Sequence, residues 1–255
     1  MSTAVVTGGG RGLGRGIALA LAADGFDLVL GYRGGQQPAD ATAGEVRALG
    51  RRAETVRGDV ADPGTAKLLV DAAAELGTLR AWVNNAGVSL LAPVVDTAPA
   101  DFARMLDVNV TGTLHGTQAA AKAFLAAGRG GRIVNVASDL GVQAGPNLGG
   151  YAATKFAVVG LTQAAALELA AAGITVNAVC PGTAETDMVL AERDSEVRLT
   201  RSSADEVRNR YLSAVPAGRF CTPEDVGALV SWLCSPAASY LTGQSICTNG
   251  GSILH

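Results

Sequence analysis

Short apolar, β-branched runs alternate with longer Ala/Leu-rich segments along the whole chain, and no other feature narrows the possible folds as far. A run such as Thr3-Ala4-Val5-Val6-Thr7 suits a strand buried on both faces, and the segment 15–23 that follows it suits a helix. Units of this kind, repeated, build an α/β protein: a doubly wound parallel β-sheet with helices on both faces. The pattern predicts strands near 3–8, 26–32, 53–57, 80–84, 131–137, 174–180 and 243–248. It predicts helices near 12–24, 39–49, 63–77, 101–127, 151–172 and 223–235. Asp62-Pro63 and Thr222-Pro223 mark two helix starts, each pairing a side-chain acceptor with a proline whose missing N–H costs nothing in the first turn.

No linker, repeat or composition break divides residues 1–255, so a single domain is expected. One stretch breaks the rhythm. Residues 185–213 are polar and poorly periodic, and they follow Cys180-Pro181-Gly182 at the end of a predicted strand. They read as a long excursion, a substrate lid over the carboxyl edge where open α/β sheets bind ligands. Its arginines, 193, 198, 201, 208 and 210, are interleaved with carboxylates, which favours a solvated charged lid over an anion-binding one.

Charge excludes several classes of function. A net charge of −3 with no Lys/Arg block argues against nucleic acid or an anionic membrane surface as partner. Lys122, Gln163 and Glu168 interrupt the Ala-rich stretches before the roughly 18 apolar residues of a membrane span. The chain enters its first strand at once, without a basic and apolar leader. Cys180, Cys221, Cys234 and Cys247 lie far apart, with no CxxC and no His at ligand spacing. They read as reduced structural thiols of a cytoplasmic protein with no metal site.

The first strand runs into Thr7-Gly8-Gly9-Gly10-Arg11-Gly12-Leu13-Gly14 and then directly into a helix. Glycines there permit tight turns and let a pyrophosphate approach the free N–H groups of the helix N-terminus. A glycine turn without a ligand is the plainer alternative. No frame satisfies GxGxxG, whereas Gly8, Gly12 and Gly14 fit GxxxGxG behind a threonine.

TGxxxGxG, then Asn84-Asn85-Ala86-Gly87, then Tyr151-Ala152-Ala153-Thr154-Lys155 occur in that order. In this the chain resembles the short-chain dehydrogenase/reductase family of single-domain, Rossmann-like oxidoreductases, over nearly its whole length. Among that family it looks most like the 3-oxoacyl-[acyl-carrier-protein] reductase members. The resemblance implies an NAD(P)-dependent enzyme acting on CH–OH/C=O, and a small-molecule carbonyl or alcohol as substrate. It implies that Gly8, Gly12, Leu13 and Gly14 cradle the dinucleotide, that Asp59 and Val60 flank the adenine, and that Asn85, Ala86 and Gly87 approach the adenosine ribose. Asp59 could equally be a turn residue. Pro181-Gly182 with Thr186 resembles the family's PGxxxT segment, which implies contacts to the nicotinamide carboxamide; a plain proline–glycine turn accounts for the first two residues alone.

The end of the second strand discriminates between cofactors. An acidic residue there would bind the adenosine ribose hydroxyls, but Asp27 sits at the amino end and the strand closes with Gly31-Tyr32-Arg33. Arg33, with Arg11 in the glycine turn, suits a 2′-phosphate, so NADP(H) is favoured over NAD(H). The alternative makes both arginines solvated surface charges and the enzyme an NAD-linked alcohol or sugar dehydrogenase.

A phenol titrating near 10 is a poor acid unless a cation lowers it. Lys155 lies four residues after Tyr151, on one face of a predicted helix, although YxxxK also occurs on ordinary helices. The family carries its serine thirteen positions before the tyrosine, which is Ser138, closing the strand 133–137. Its hydroxyl would hold the substrate oxygen, as in an oxyanion hole. The family's fourth member is Asn109, which there disturbs its helix and anchors a water in the relay to Lys155; an internal hydrogen bond is the plainer reading. The expected reaction is reduction of a ketone or 3-oxoacyl thioester to a secondary alcohol by hydride transfer, with Tyr151 as general acid. A binding-only regulator would lack Ser138, Tyr151 or Lys155. Leu90, Asp139, Leu140, Val142, Asn147 and Leu148 border the substrate by position, and Asn249 stands where the family usually has an acidic residue. The Ala-rich faces of 101–127 and 151–172 suit close packing between chains, as a homotetramer or homodimer.

Overall fold

The computed structural model describes residues 2–254. Seven strands form one sheet: β1 (Ser2–Thr7), β2 (Asp27–Tyr32), β3 (Ala53–Arg57), β4 (Thr78–Asn84), β5 (Gly131–Val136), β6 (Ile174–Pro181) and β7 (Ser245–Thr248). All ladders are parallel, in the order β3-β2-β1-β4-β5-β6-β7. The strand order reverses between β1 and β4, and the crevice for a ligand opens at that switch point.

Successive strand residues face opposite sides, which splits the core in two. Val6, Leu28, Leu30, Val83, Val134 and Val179 pack against α1 (Gly12–Ala23), α2 (Gln36–Ala48) and α9 (Pro223–Cys234). Their neighbours Val5, Val29, Trp82, Ile133 and Val176 pack against α3 (Pro63–Leu76), α5 (Gly112–Ala127) and α6 (Gly149–Leu169). Both predicted start signals are built: Asp62 accepts the Gly64 N–H at 2.9 Å, and Thr222 and Asp225 cap each other's backbone.

Three predicted elements differ. The helix expected over 101–127 is α4 (Pro99–Met105), a π-helical turn over Leu106–Thr111, and α5. The polar excursion is helical, as α7 (Asp187–Thr200) and α8 (Ala204–Ser213). By length and composition alone, the segment 149–172 is also apolar enough to cross a membrane, despite Lys155, Gln163 and Glu168. In the fold it flanks β6, with Thr154, Lys155 and Thr162 turned into the protein.

Candidate active site

The turn between β1 and α1 is closed by contacts that only glycine allows. Gly8 and Gly12 have φ of +64° and +51°. A Cβ on Gly14 would lie 2.0 Å from the Gly8 carbonyl oxygen. Arg11 precedes α1 without capping it, and the first turn carries no acidic side chain, so its N–H groups face a space suited to an anion.

Thr7 ties this turn to the segment after β4. Its Oγ1 accepts the N–H groups of Asn85 at 2.9 Å and Ala86 at 3.0 Å. In return Asn85 Nδ2 donates to the Thr7 and Gly8 carbonyls at 2.9 and 3.1 Å. Together these segments line a cleft of about 850 Å³ that also receives Leu13, Tyr32, Arg33, Asp59, Val60, Gly87, Tyr151, Lys155 and Thr186. Pro181 and Gly182 lie outside its wall; Gly182 is pressed against Asn249. Asn249 itself closes the C-terminal turn through Ile253 and Gly251.

At the β2–β3 end the charges are partly matched. Asp59 accepts from Arg104 at 2.8 Å and from the Ala61 N–H, and Arg33 approaches it at 3.6 Å. Burial would raise the Asp59 carboxyl, but these donors outweigh it and hold it below the usual carboxylate range. Arg11 lines the same cleft as Arg33, and its guanidinium pairs at 2.9 Å with Asp187 at the start of α7, because the lid helix begins directly over the glycine turn. Asp27 is a core residue, 1% exposed, held by Arg51 and Arg52 at the far end of β2.

The catalytic candidates meet where β5 ends. Ser138, nearly buried, accepts the Leu140 N–H at 3.1 Å and donates to Asp139 at 3.2 Å. Lys155 Nζ donates to the Val136 carbonyl at 2.9 Å and lies 5.5 Å from the centre of the Tyr151 ring. Burial therefore governs both groups. The ammonium is pulled down to about 8. The phenol is pushed up, by burial first and then by the facing Glu192 carboxyl, against a Ser138 hydrogen bond that lowers it. The expected depression of Tyr151 by Lys155 is thus reversed here, since the ammonium serves a backbone carbonyl rather than the phenol.

Asn109 lies within the π-helical turn, as its expected disturbance of the helix requires. Its amide clasps Val88, accepting the N–H and donating to the carbonyl at 2.8 Å each, and donates to Thr154 Oγ1 at 2.9 Å. A Cβ at Gly87 would come 3.4 Å from Asn109 Oδ1 and 3.7 Å from Lys155 Nζ, ordinary contact distances, so both groups border the same point of the backbone.

A family model described as enoyl-(acyl carrier protein) reductase matches residues 8–252. Over 257 residues the chain is 40% identical to a diacetyl reductase [(S)-acetoin forming] of Staphylococcus epidermidis, covering 98% of each chain. The chain belongs to the short-chain dehydrogenase/reductase family. Other members align as fully: an L-2,3-butanediol dehydrogenase of Corynebacterium glutamicum at 41% identity over 98% of each chain, and a 3-oxoacyl-[acyl-carrier-protein] reductase of Staphylococcus aureus at 36% over 98% of this chain and 97% of that one. The crystal structure of acetoin dehydrogenase from Enterobacter cloacae superposes with a TM-score of 0.85 at 36% identity, covering 98% of this chain and 95% of that chain.

As a short-chain dehydrogenase/reductase the protein is an oxidoreductase of the CH–OH/C=O pair with a nicotinamide cofactor. The residues present fit such a group: the glycine cradle leaves no room for a Cβ, the α1 N-terminus is uncapped, and the cleft is long enough to join Arg33 to Tyr151.

Four residues of this member were not singled out in the sequence: Thr7 as the staple, Arg104 beside Asp59, Glu192 facing Tyr151, and Ser252, whose hydroxyl donates to Asp139 at 3.3 Å. Only Thr7 had a readable signal, as the first letter of TGxxxGxG. Among the predicted substrate neighbours, Asn147 takes φ of 59° and its carbonyl accepts the Ala92 N–H. Three of the five lid arginines are paired: Arg193 and Arg208 with Glu185 and over the Phe220 ring, and Arg210 with Glu196. Arg193 and Glu196 are buried, whereas Glu185, Arg208 and Arg210 stay about half exposed, so the charged layer is packed on its inner side and solvated on its outer one.

Proposed function

We propose that this protein uses NADPH to reduce a small ketone to a secondary alcohol, with Ser138 and Tyr151 receiving the carbonyl oxygen. The observation that carries the reading is the convergence of Ser138, Tyr151 and Lys155 beyond β5, with Tyr151 and Lys155 in the wall of the glycine-lined cleft. When bound, the nicotinamide dinucleotide supplies the hydride. Gly8, Gly12, Leu13, Gly14 and Asn85–Gly87 would hold its adenosine half, Tyr32 and Arg33 its 2′-phosphate, and Thr186 its carboxamide end, with Pro181-Gly182 shaping the turn behind Thr186 rather than touching the group.

Ser138 donates to the oxygen as negative charge develops there, from a nearly buried position at the end of β5. Tyr151 then gives its proton to the alkoxide. Burial keeps the phenol protonated through neutral pH, which suits the reductive direction. Lys155, drawn toward neutrality by the same burial, serves the ribose hydroxyls and steadies the phenolate left behind. Asn109 anchors the proton relay beside it. The α7–α8 segment forms the lid, and the exposed Leu114, Leu125, Phe156 and Leu167 of α5 and α6 join chains into a homodimer or homotetramer.

The names of the relatives favour a diketone or hydroxyketone over a long 3-oxoacyl thioester as first substrate to try. An NAD-linked alcohol dehydrogenase is the second reading, favoured by one observation: Arg33 and Arg11 both already face carboxylates. The test is turnover of NADPH and NADH against a diketone, a hydroxyketone, a cyclic ketone and a 3-oxoacyl thioester. NADPH-selective turnover lost in Tyr151→Phe supports the proposal; NADH selectivity transfers it to the second reading. Unchanged turnover in Tyr151→Phe removes the phenol as acid.

A further inference from the structure

The Ser138 hydroxyl has one proton and more than one claimant. It donates to Asp139 Oδ1 at 3.2 Å, while its oxygen is occupied by the Leu140 N–H at 3.1 Å. It also contributes the hydrogen bond that lowers the Tyr151 phenol. The other oxygen of Asp139 accepts from Ser252 in the C-terminal segment at 3.3 Å. A chain of hydrogen bonds thus runs from the C-terminal turn through Asp139 to the serine that must meet the substrate. Resting on the reading of Ser138 and Tyr151 given above, we propose that Asp139 is a positioning residue whose protonation state decides where the Ser138 proton points.

An ionised carboxyl only accepts, so it holds the serine proton and leaves the substrate oxygen without that donor. A protonated carboxyl can itself donate to Ser138, and the serine proton is then free to turn to the substrate. Asp139 is placed to keep its proton to higher pH than an exposed carboxyl does. Among the described residues no Arg, Lys or His forms an ion pair with it. The titratable groups around it are Tyr151 and Lys155 on α6, Cys180 on β6, Cys247 on β7 and Cys221 before α9; the positive charge among them, Lys155, turns its Nζ to the Val136 carbonyl. Burial raises its carboxyl above the ordinary range, and the hydroxyls of Ser138 and Ser252 only temper the shift.

The control acts on the transition state, which both directions share. Its signature therefore differs from that of Tyr151, whose required form is acid in reduction and base in oxidation. The experiment is kcat/KM against pH, in both directions, for the wild type, Asp139→Asn and Ser252→Ala. A carboxamide stands in for the protonated acid at every pH. The ratio of Asp139→Asn to wild type should climb with rising pH, by the same factor in reduction and oxidation. An oxyanion donor is worth about 10²–10³ in rate, so a climb of about tenfold or more is expected. Ser252→Ala removes one donor to the carboxylate and should move the wild-type transition up by roughly half a pH unit or more.

A ratio that stays flat with pH, while Tyr151→Phe still abolishes turnover, overturns this proposal and leaves the catalytic assignment intact. Unchanged turnover in Tyr151→Phe overturns the assignment itself. Should Asp139→Asn fail to fold, infrared titration of the cofactor-free protein decides. A protonated-carboxyl band that persists above the usual carboxylate range, and shifts in Ser252→Ala, supports the proposal. A band that Ser252→Ala does not move overturns it.

Discussion

Replacing Gly14 with alanine tests the cradle where its geometry is tightest. The added Cβ would stand 2.0 Å from the Gly8 carbonyl oxygen and 2.7 Å from Asn85 Nδ2, whereas ordinary contact begins at 3.4 Å. The turn must therefore retreat by about 1.4 Å, and the obstacle is backbone, which cannot rotate aside. Overpacking of this kind costs about 1–3 kcal/mol. The same movement strains the Asn85 bonds to Thr7 and Gly8, each worth about 0.5–1.5 kcal/mol. A loss of about 2–4 kcal/mol follows, or roughly 4–16 °C in Tm for a chain of this size. The displaced carbonyl also narrows the space at the α1 N-terminus, so dinucleotide affinity should fall at least about tenfold. Thermal unfolding and calorimetric titration with the dinucleotide measure the two effects separately. Gly44→Ala is the matched control: nothing lies within 4 Å of its Cβ in the middle of α2, and it should stabilise by about 0.5–1 kcal/mol. If Gly14→Ala unfolds within about 2 °C of the wild type and keeps its dinucleotide affinity within about threefold, the cradle does not depend on this contact.

Arg33→Ala should lower kcat/KM with NADPH by about tenfold or more while sparing NADH, since one charge-assisted phosphate contact is removed; equal losses with both cofactors would count against the 2′-phosphate role. Asp27→Asn should leave cofactor choice unchanged and cost about 2–4 kcal/mol in denaturant unfolding, because Asp27 anchors Arg51 and Arg52 from a buried position. Its carboxyl, which burial would raise, is held below the ordinary value by the Arg52 backbone and guanidinium and the Arg51 charge. The stability it provides is therefore present above the unfolded value of 3.8 and disappears as pH falls through the lower folded value. Lys155 runs the other way: the fold prefers it neutral, so wild-type stability should rise between about pH 8 and 10.5, by roughly 3 kcal/mol, and Lys155→Met should flatten that rise.

The sheet was legible because its strands are apolar on both faces and its helices are amphipathic; adjacent residues such as Val5 and Val6 feed opposite cores. The lid helices were not legible by that signal. α7 buries only Arg193 and Glu196, and α8 only Val207, so neither carries an apolar stripe. What specifies α8 is local: Ser203 and Glu206 form a reciprocal capping box, a spacing present in the sequence and independent of hydrophobicity. The π-helical turn is set by tertiary contact. Asn109 is held by Val88 and Thr154, and Gly112 lets the helix approach Val60 more closely than any side chain would. Within 101–127 only the family's asparagine position, Asn109, pointed to the disturbance, and nothing there pointed to the close approach at Gly112.

The site shows the same division between spacing and environment. The intervals linking Ser138, Tyr151 and Lys155 were readable, because one strand end and one helix face fix them. Their proton states were not, because these depend on partners remote in sequence. Arg11 meets Asp187 across 176 residues, Arg104 meets Asp59 across 45, and Asp139 meets Ser252 across 113. Inside the pocket, burial moves both catalytic groups toward neutrality: it raises the phenol and lowers the ammonium. A neutral pair costs less to bury than a phenolate–ammonium pair whose ammonium is turned to a backbone carbonyl. The spacing Tyr-x-x-x-Lys therefore supplies the partners of a proton transfer without fixing its direction. In this member the resting protonation of the pair is set by what surrounds them. Glu192 and Asp139 place negative charge near Tyr151, and each favours the phenol over the phenolate. Such surroundings keep the proton on the resting phenol, and they make it a weaker acid than a phenol paired with an ammonium would be.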